Sequence, residues 1–332
     1  MEARKLQKTG GSTYTLSLPK RWVTGSGLKA GDAVFVDAIG DGALVLRPKP
    51  DERGTSRTKI LQTGEGESRD HILRKLIGAY VSGYDVIEVR FKAAQAPSIR
   101  RVVRDFTRMV IGPEIMEEGR TSIAIQDLSD PTEMNAEKCL RRMYMSVRAM
   151  HEDALEVVRT RDETLSRDVE QRDEDVDRLY WMVAKQYSLA HLAGPAKAES
   201  WTSSGVHNYL LVAKLLERIG DHAQRIAKAA MAVGKDLEPR LLKELQSASR
   251  SALDILDRAF TALMAEDVDA ANRAVDRLTA VEKQVDGLTH RVADFRGEEL
   301  LALGAIVDSI RRAGGYATDI AETAINHVLS HE

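Results

Sequence analysis

The 332-residue sequence has a single cysteine, Cys139. That excludes an internal disulfide and a thiolate metal cage, and with them Cys-based redox chemistry and structural zinc. Cys139 itself reads as an ordinary half-buried side chain. Aromatic residues are scarce, at 5%, so the cores must be filled with aliphatic side chains, and the plentiful Ala, Leu, Val, Asp, Glu and Arg favour helices. With 23 Gly and 8 Pro, collagen-like and low-complexity architectures are excluded. No apolar run reaches the roughly 18 residues of a membrane span, and Met1-Glu2-Ala3-Arg4-Lys5 offers no apolar core for a signal peptide. A soluble, cytoplasmic protein with no membrane insertion is expected. The length predicts two or three domains at about 100 to 200 residues each.

Charge is divided unevenly. Residues 1–50 hold eight Lys or Arg against four acids, a net of +4, whereas the whole chain carries −3. A small basic head on an acidic body fits one part that meets a polyanion and another with a different task.

The head reads as short strands. Side chains alternate polar and apolar from Thr13 to Leu18, Pro19 stops the strand, and Gly10-Gly11 marks a turn before it. The pattern predicts a short helix over Lys20 to Gly25, a turn over 27–32, a strand over 33–39, a hairpin at Gly40-Asp41-Gly42 and a return strand over 43–46. Pro48 and Pro50 mark a linker. About 50 residues of this kind bury too little surface to stand alone, so pairing with a second copy is expected. The run Lys5-Leu6-Gln7-Lys8-Thr9-Gly10-Gly11-Ser12-Thr13-Tyr14-Thr15-Leu16-Ser17-Leu18-Pro19-Lys20-Arg21-Trp22, followed by Gly27-Leu28-Lys29-Ala30-Gly31-Asp32, resembles the AbrB/MazE/SpoVT family of swapped-hairpin DNA-binding domains. The resemblance implies a β-barrel of two interlocked chains, DNA as partner, and Arg4, Lys5, Lys8, Ser12, Lys20 and Arg21 as its DNA-binding residues. Lys and Arg would contact phosphates and Ser12 would donate a hydroxyl.

Residues 55–130 read as a small α/β domain. Strands are predicted over 57–63, 85–91 and 121–126, and helices over 69–82 and 97–110, with Gly83 ending the first helix. No phosphate loop, nucleophile elbow or metal-ligand pattern occurs here.

From about Pro131 onward, apolar residues recur at three- and four-residue spacing through six stretches, 132–164, 166–192, 205–232, 236–265, 267–296 and 298–330. An all-α body of two three-helix bundle repeats, 131–232 and 233–332, is the simplest account. Asp173-Glu174-Asp175-Val176-Asp177 aligns with Glu282-Lys283-Gln284-Val285-Asp286, and Glu217-Arg218-Ile219-Gly220-Asp221 aligns with Arg311-Arg312-Ala313-Gly314-Gly315. Over residues 135–330 the pattern resembles the PhoU family of phosphate-signalling regulators.

In that family, paired acids on two helices of each unit converge on divalent metal ions. The resemblance therefore implies a metal site at Asp173, Asp177, Glu217 and Asp221. Acids four residues apart do share a helix face, and Gly220 permits close helix approach. All-oxygen ligands select hard cations such as Mg²⁺ or Mn²⁺, with iron and zinc still open. In the second unit Glu282 and Asp286 remain, but Arg311 and Gly315 replace the partner acids. A degenerate site with an ion pair in place of a metal is expected there. His222 is expected to be a surface or packing histidine.

The fused resemblances imply a phosphate-responsive transcriptional regulator of phosphate uptake, not an enzyme. It would bind DNA as a dimer and sense or relay phosphate status through the metal-binding body. Two alternatives stand beside it: a metal-dependent phosphohydrolase, and an adaptor with a DNA-inert head that regulates a phosphate ABC transporter, with the transporter ATPase as partner.

Overall fold

A computed structural model describes residues 3–38, 44–48, 56–130, 134–193, 203–234 and 237–330. The head and the chain from residue 56 onward are separate units, each taken here by itself.

In the head, β1 (Gln7–Thr9) and β2 (Thr13–Thr15) form an antiparallel hairpin, α1 spans Lys20–Gly25, and β3 (Phe35–Ala38) pairs antiparallel with β4 (Leu44–Arg47). The turn between β1 and β2 uses Gly10 at φ 73°, a left-handed conformation that glycine adopts without a Cβ clash. The sequence pattern does not announce β1, and β2 is shorter than predicted because Leu16 to Pro19 leave the ladder. The predicted turn at Gly40-Asp41-Gly42 lies outside the described residues. No described head residue with an assigned exposure is buried. Leu6, Tyr14, Leu16, Phe35, Val36 and Leu44 are each 40–64% exposed, so one copy of the head has apolar side chains without a core to hold them.

The α/β segment consists of β5 (Thr58–Gln62), α2 (Arg69–Val81), β6 (Val86–Arg90), α3 (Ala96–Met109), β7 (Pro113–Glu118) and β8 (Ser122–Asp127). Its sheet has the order β5-β6-β8-β7, with β5 and β6 parallel and the other pairs antiparallel. Burial alternates along β6 and β8, as expected of a sheet covered on one face. Ile87, Val89, Ile123 and Ile125 meet Ile72, Leu76, Tyr80, Ile99, Val103 and Phe106 from the two helices. β7 is absent from the sequence expectation. Pro113 opens it, and a bulge between Ile115 and Glu117 breaks its alternation, which hides the period of a strand.

The helices are α4 (Ala136–Thr160), α5 (Glu163–Ala193), α6 (Ser203–Ala230), α7 (Pro239–Ala265), α8 (Val268–Val275), α9 (Leu278–Val292) and α10 (Gly297–Leu329). The expected single helix over 267–296 is two. At the break the Arg277 N–H bonds to Ala274 O at i−3, a tightened turn that no Pro or Gly marks in the sequence. Buried positions Val212, Leu216, Ile219, Ala223 and Ile226 run down α6, and Leu303, Ile306, Ile310, Ala313, Ala317 and Ile320 down α10. This alternating three- and four-residue spacing makes one apolar stripe per helix. α4, α5 and α6 pack on one another, as do α7, α9 and α10, while α6 and α10 also pack together. Cys139 is fully buried, not half-buried as the sequence reading has it, and burial pushes its thiol up to about 11.

The α/β segment is fixed to α5 by a buried ion pair between Lys185 and Asp127. Lys185 Nζ also donates to Ser129 Oγ at 2.9 Å and lies over the Tyr80 ring, 5.1 Å from its centroid. None of the described helices is long and apolar enough to cross a membrane.

Candidate functional site

The four acids of the first helical unit share one locality because α5 and α6 run side by side. Asp173 and Asp177 lie one turn apart on α5, and Glu217 and Asp221 one turn apart on α6. The helices come close at Gly220. A Cβ there would stand 3.0 Å from Asp173 Oδ1 and 3.4 Å from Val147 Cγ1. Asp173 is 6% exposed, so water screens its charge poorly, and the neighbouring carboxylates repel it further. Burial, then Asp177, Asp221 and Glu217, push the Asp173 carboxyl up to about 7. Burial, then Glu217 and Asp221, push Asp177 up to about 6. Asp221 is raised by burial and by Glu217. Arg178 does not relieve this repulsion, since its Nη1 lies 3.5 Å from Asp175.

Two oxygens of the cluster, Asp173 Oδ1 and Glu217 Oε2, are buried with no hydrogen-bond partner. The other oxygens of the same carboxylates are held. Asp173 Oδ2 accepts from Gln224 Nε2 at 2.9 Å and Glu217 Oε1 from Lys214 Nζ at 2.7 Å. Gln224 Oε1 in turn accepts from Lys228 Nζ at 2.8 Å. The sequence reading missed Gln224 and Lys214, although each lies three residues from a site acid and so on the same face of α6. Among the described residues, no three His, Cys, Asp or Glu side chains stand in a ready-made ligating arrangement. The cluster is electrostatically joined but open.

The second unit differs chemically. Arg311 Nη2 lies 2.7 Å from Asp286 Oδ1. A groove of about 340 Å³ beside this pair is lined by Glu282, Arg311, Tyr316, Asp319 and Glu322. Gly314, which aligns with Gly220, is also a close approach, with a Cβ there 3.2 Å from Val281 Cγ1, whereas a Cβ at Gly315, the Asp221 position, would meet nothing within 4 Å. His222 is half-buried, with Nδ1 3.1 Å from Ser309 Oγ and its ring 5.8 Å from that of Tyr316. It packs α6 against α10.

In the head, Arg4, Lys5, Lys8, Ser12, Lys20 and Arg21 are all exposed. Lys8 and Ser12 share the β1–β2 hairpin, Lys20 and Arg21 open α1, and Arg4 and Lys5 precede β1.

Comparison with known proteins divides the chain along the same lines. The family model described as the PhoU domain matches residues 140–230, and the model for the antidote-toxin recognition protein MazE, a bacterial antitoxin, matches residues 7–54. Neither match reaches residues 56–130. The chain is 28% identical over 192 residues to the phosphate-specific transport system accessory protein PhoU homolog 1 of Thermotoga maritima, covering 55% of this chain and 82% of that protein. It is 24% identical over 214 residues to PhoU of Escherichia coli, covering 60% of this chain and 87% of that protein. The crystal structure of PhoU from Pseudomonas aeruginosa superposes with a TM-score of 0.52 at 19% identity, over 59% of this chain and 96% of that one, which is a likeness of fold. The chain is thus similar to MazE at its basic N-terminal end and to PhoU in its helical body.

Proposed function

We propose that the protein is a phosphate-responsive transcriptional regulator of phosphate uptake, with no catalytic role. The observation that carries this reading is the union, in one chain, of a MazE-type head with six exposed DNA-facing candidates, Arg4, Lys5, Lys8, Ser12, Lys20 and Arg21, and a PhoU-type body. The head acts as a homodimer. Its exposed Leu6, Tyr14, Leu16, Phe35, Val36 and Leu44 supply the apolar surface that a second copy covers, closing the two hairpins into a shared barrel. Lys and Arg of both copies then neutralise phosphates.

The body is two related helical units, α4–α6 and α7–α10, and Asp173, Asp177, Glu217 and Asp221 of the first hold a divalent cation. The residues fit such a group. Two buried carboxylate oxygens lack partners, and burial, with repulsion from neighbouring acids second, raises the Asp173 and Asp177 carboxyls to about 7 and about 6. An all-oxygen donor set of this charge suits Mg²⁺ or Mn²⁺, with iron or zinc as competitors. Bound there, the cation would neutralise the cluster and tie α5 to α6. In the second repeat Glu282 and Asp286 keep the acids of the pattern, and Arg311 takes the place of a cation.

A second reading follows from the names of the relatives, accessory proteins of a phosphate-specific transport system: the body regulates a phosphate ABC transporter through its ATPase while the head leaves DNA alone. Electrophoretic shift of DNA from upstream of phosphate-transport genes separates the two. The regulator reading expects a shift that weakens steeply with salt. A head that shifts no DNA at low salt leaves the adaptor.

A further inference from the structure

We propose that the α/β segment carries a second DNA-binding surface, formed by the outer face of α3 with Arg101 and Arg108 as its phosphate contacts. This inference rests on the DNA-binding reading above and assigns a role to residues 56–130, which neither family match reaches.

α2 and α3 together hold seven Lys or Arg, namely Arg69, Arg74, Lys75, Arg100, Arg101, Arg104 and Arg108, against two acids, Asp70 and Asp105. A single arginine, Arg69, lies within ion-pair distance of both acids, at 3.5 and 2.9 Å. Glu118 takes Arg100 at 2.7 Å and Arg104 at 3.4 Å, and Lys75 pairs with Glu67. Arg101 and Arg108 are exposed, and among the described residues neither meets a carboxylate. A groove on the sheet is lined by Glu117, by Glu88, which pairs with Arg90 at 2.7 Å, and by Glu118, which faces Arg100 and Arg104.

Folding alone does not call for this arrangement. α3 buries Ile99, Val102, Val103 and Phe106, and its outer face could hold any polar residue. Instead Arg100 and Arg104, Arg101 and Arg104, and Arg104 and Arg108 are like-charged pairs at i,i+3 or i,i+4, each of which disfavours the helix. Arg101 and Arg108 lie on one line of the helix, about 10.5 Å apart at 1.5 Å per residue. Projected on the duplex axis, that separation corresponds to about three base-pair steps at about 3.4 Å each. A duplex is thus a partner of opposite charge to these two arginines.

The test is the salt dependence of binding of the full chain to a mixed-sequence duplex of about 40 base pairs, because each phosphate contact contributes about 0.9 to the slope of log affinity against log salt. Arg101→Gln with Arg108→Gln is expected to make the slope shallower by about 1.8 and to weaken binding at low salt about tenfold or more. The thermal midpoint is expected to stay the same or rise slightly, since neither side chain has an ion-pair partner among the described residues and two like-charge pairs are relieved. Lys243→Gln, on the exposed side of α7, serves as the control and is expected to leave slope and affinity unchanged. Wild type that binds with a slope the double variant shares overturns this inference and leaves the head reading intact. An equal loss in the Lys243 control also overturns it, since net charge would then explain the effect. If the wild-type chain binds no duplex at low salt, both readings fall together.

Discussion

Asp173 and His151 are two buried groups whose titrations act on the fold in opposite directions. The Asp173 carboxyl is raised from 3.8 to about 7. Between those values the folded chain keeps a proton that the unfolded chain has released, so this group lowers stability as pH rises through that window. His151 is fully buried with Nδ1 3.0 Å from Ser249 Oγ, and burial pulls it from 6.5 down to about 4. Its contribution is complete above pH 6.5 and is lost as pH falls towards 4, because the unfolded chain takes up the proton first. The two slopes offset each other in the wild type and separate in variants. Without divalent cation, Asp173→Asn is expected to be more stable than wild type at pH 8 by on the order of 2 kcal/mol, and to lose less stability than wild type as pH rises from 4 to 7, with Asp177, raised to about 6, still opposing His151. Urea unfolding at several pH values measures both, and a wild-type pH profile in Asp173→Asn would contradict the assignment. Mn²⁺ or Mg²⁺ is expected to raise the melting temperature of wild type at pH 8 and to do so far less in Asp173→Asn. The four acids were legible through the PhoU resemblance and their placement in a repeat, because four-residue spacing alone is common on solvated helix faces. Gln224 and Lys214 were not, because nothing in a helical pattern says which neighbouring polar residue turns inward.

At the scale of the element, two glycines of the helical body that differ in their surroundings make a paired test. Gly220 separates α5 from α6 with no room for a methyl group, whereas Gly315 on α10 has open space where its Cβ would be. Gly220→Ala is expected to cost about 1–3 kcal/mol, because overpacking must displace Asp173 or Val147. Gly315→Ala is expected to stabilise by about 0.5–1 kcal/mol through helix propensity alone. Denaturant midpoints compare them, and equal signs for the two substitutions would refute the packing argument. The long helices α4, α6, α7 and α10 were legible because their buried stripes repeat for many turns. The break between α8 and α9 was not, since Val275-Asp276-Arg277-Leu278 holds no residue that forbids a helix. β7 escaped because an edge strand with a bulge needs no regular alternation. The turn at Gly10-Gly11 was readable, but β1 before it pairs through a backbone ladder that its exposed polar side chains do not advertise.

For the whole molecule, the Lys185–Asp127 pair decides whether the α/β segment and the helical body move as one. Both side chains are 6% exposed, so removing one leaves the other charge buried and uncompensated. Lys185→Met is expected to destabilise by about 3–5 kcal/mol and to raise hydrogen exchange in α2 and β8 together. Exchange confined to α5 would show that the pair does not hold the segment. The body resembles PhoU and the head resembles MazE, and the account claims that their union puts phosphate status in control of transcription. Genome-wide mapping of the bound protein in phosphate-rich and phosphate-poor cells tests that claim most directly. The account expects occupancy at phosphate-transport genes that changes with phosphate and vanishes when Lys5, Lys8, Lys20 and Arg21 are replaced by alanine. Occupancy at no discrete site, or occupancy indifferent to phosphate, would contradict it.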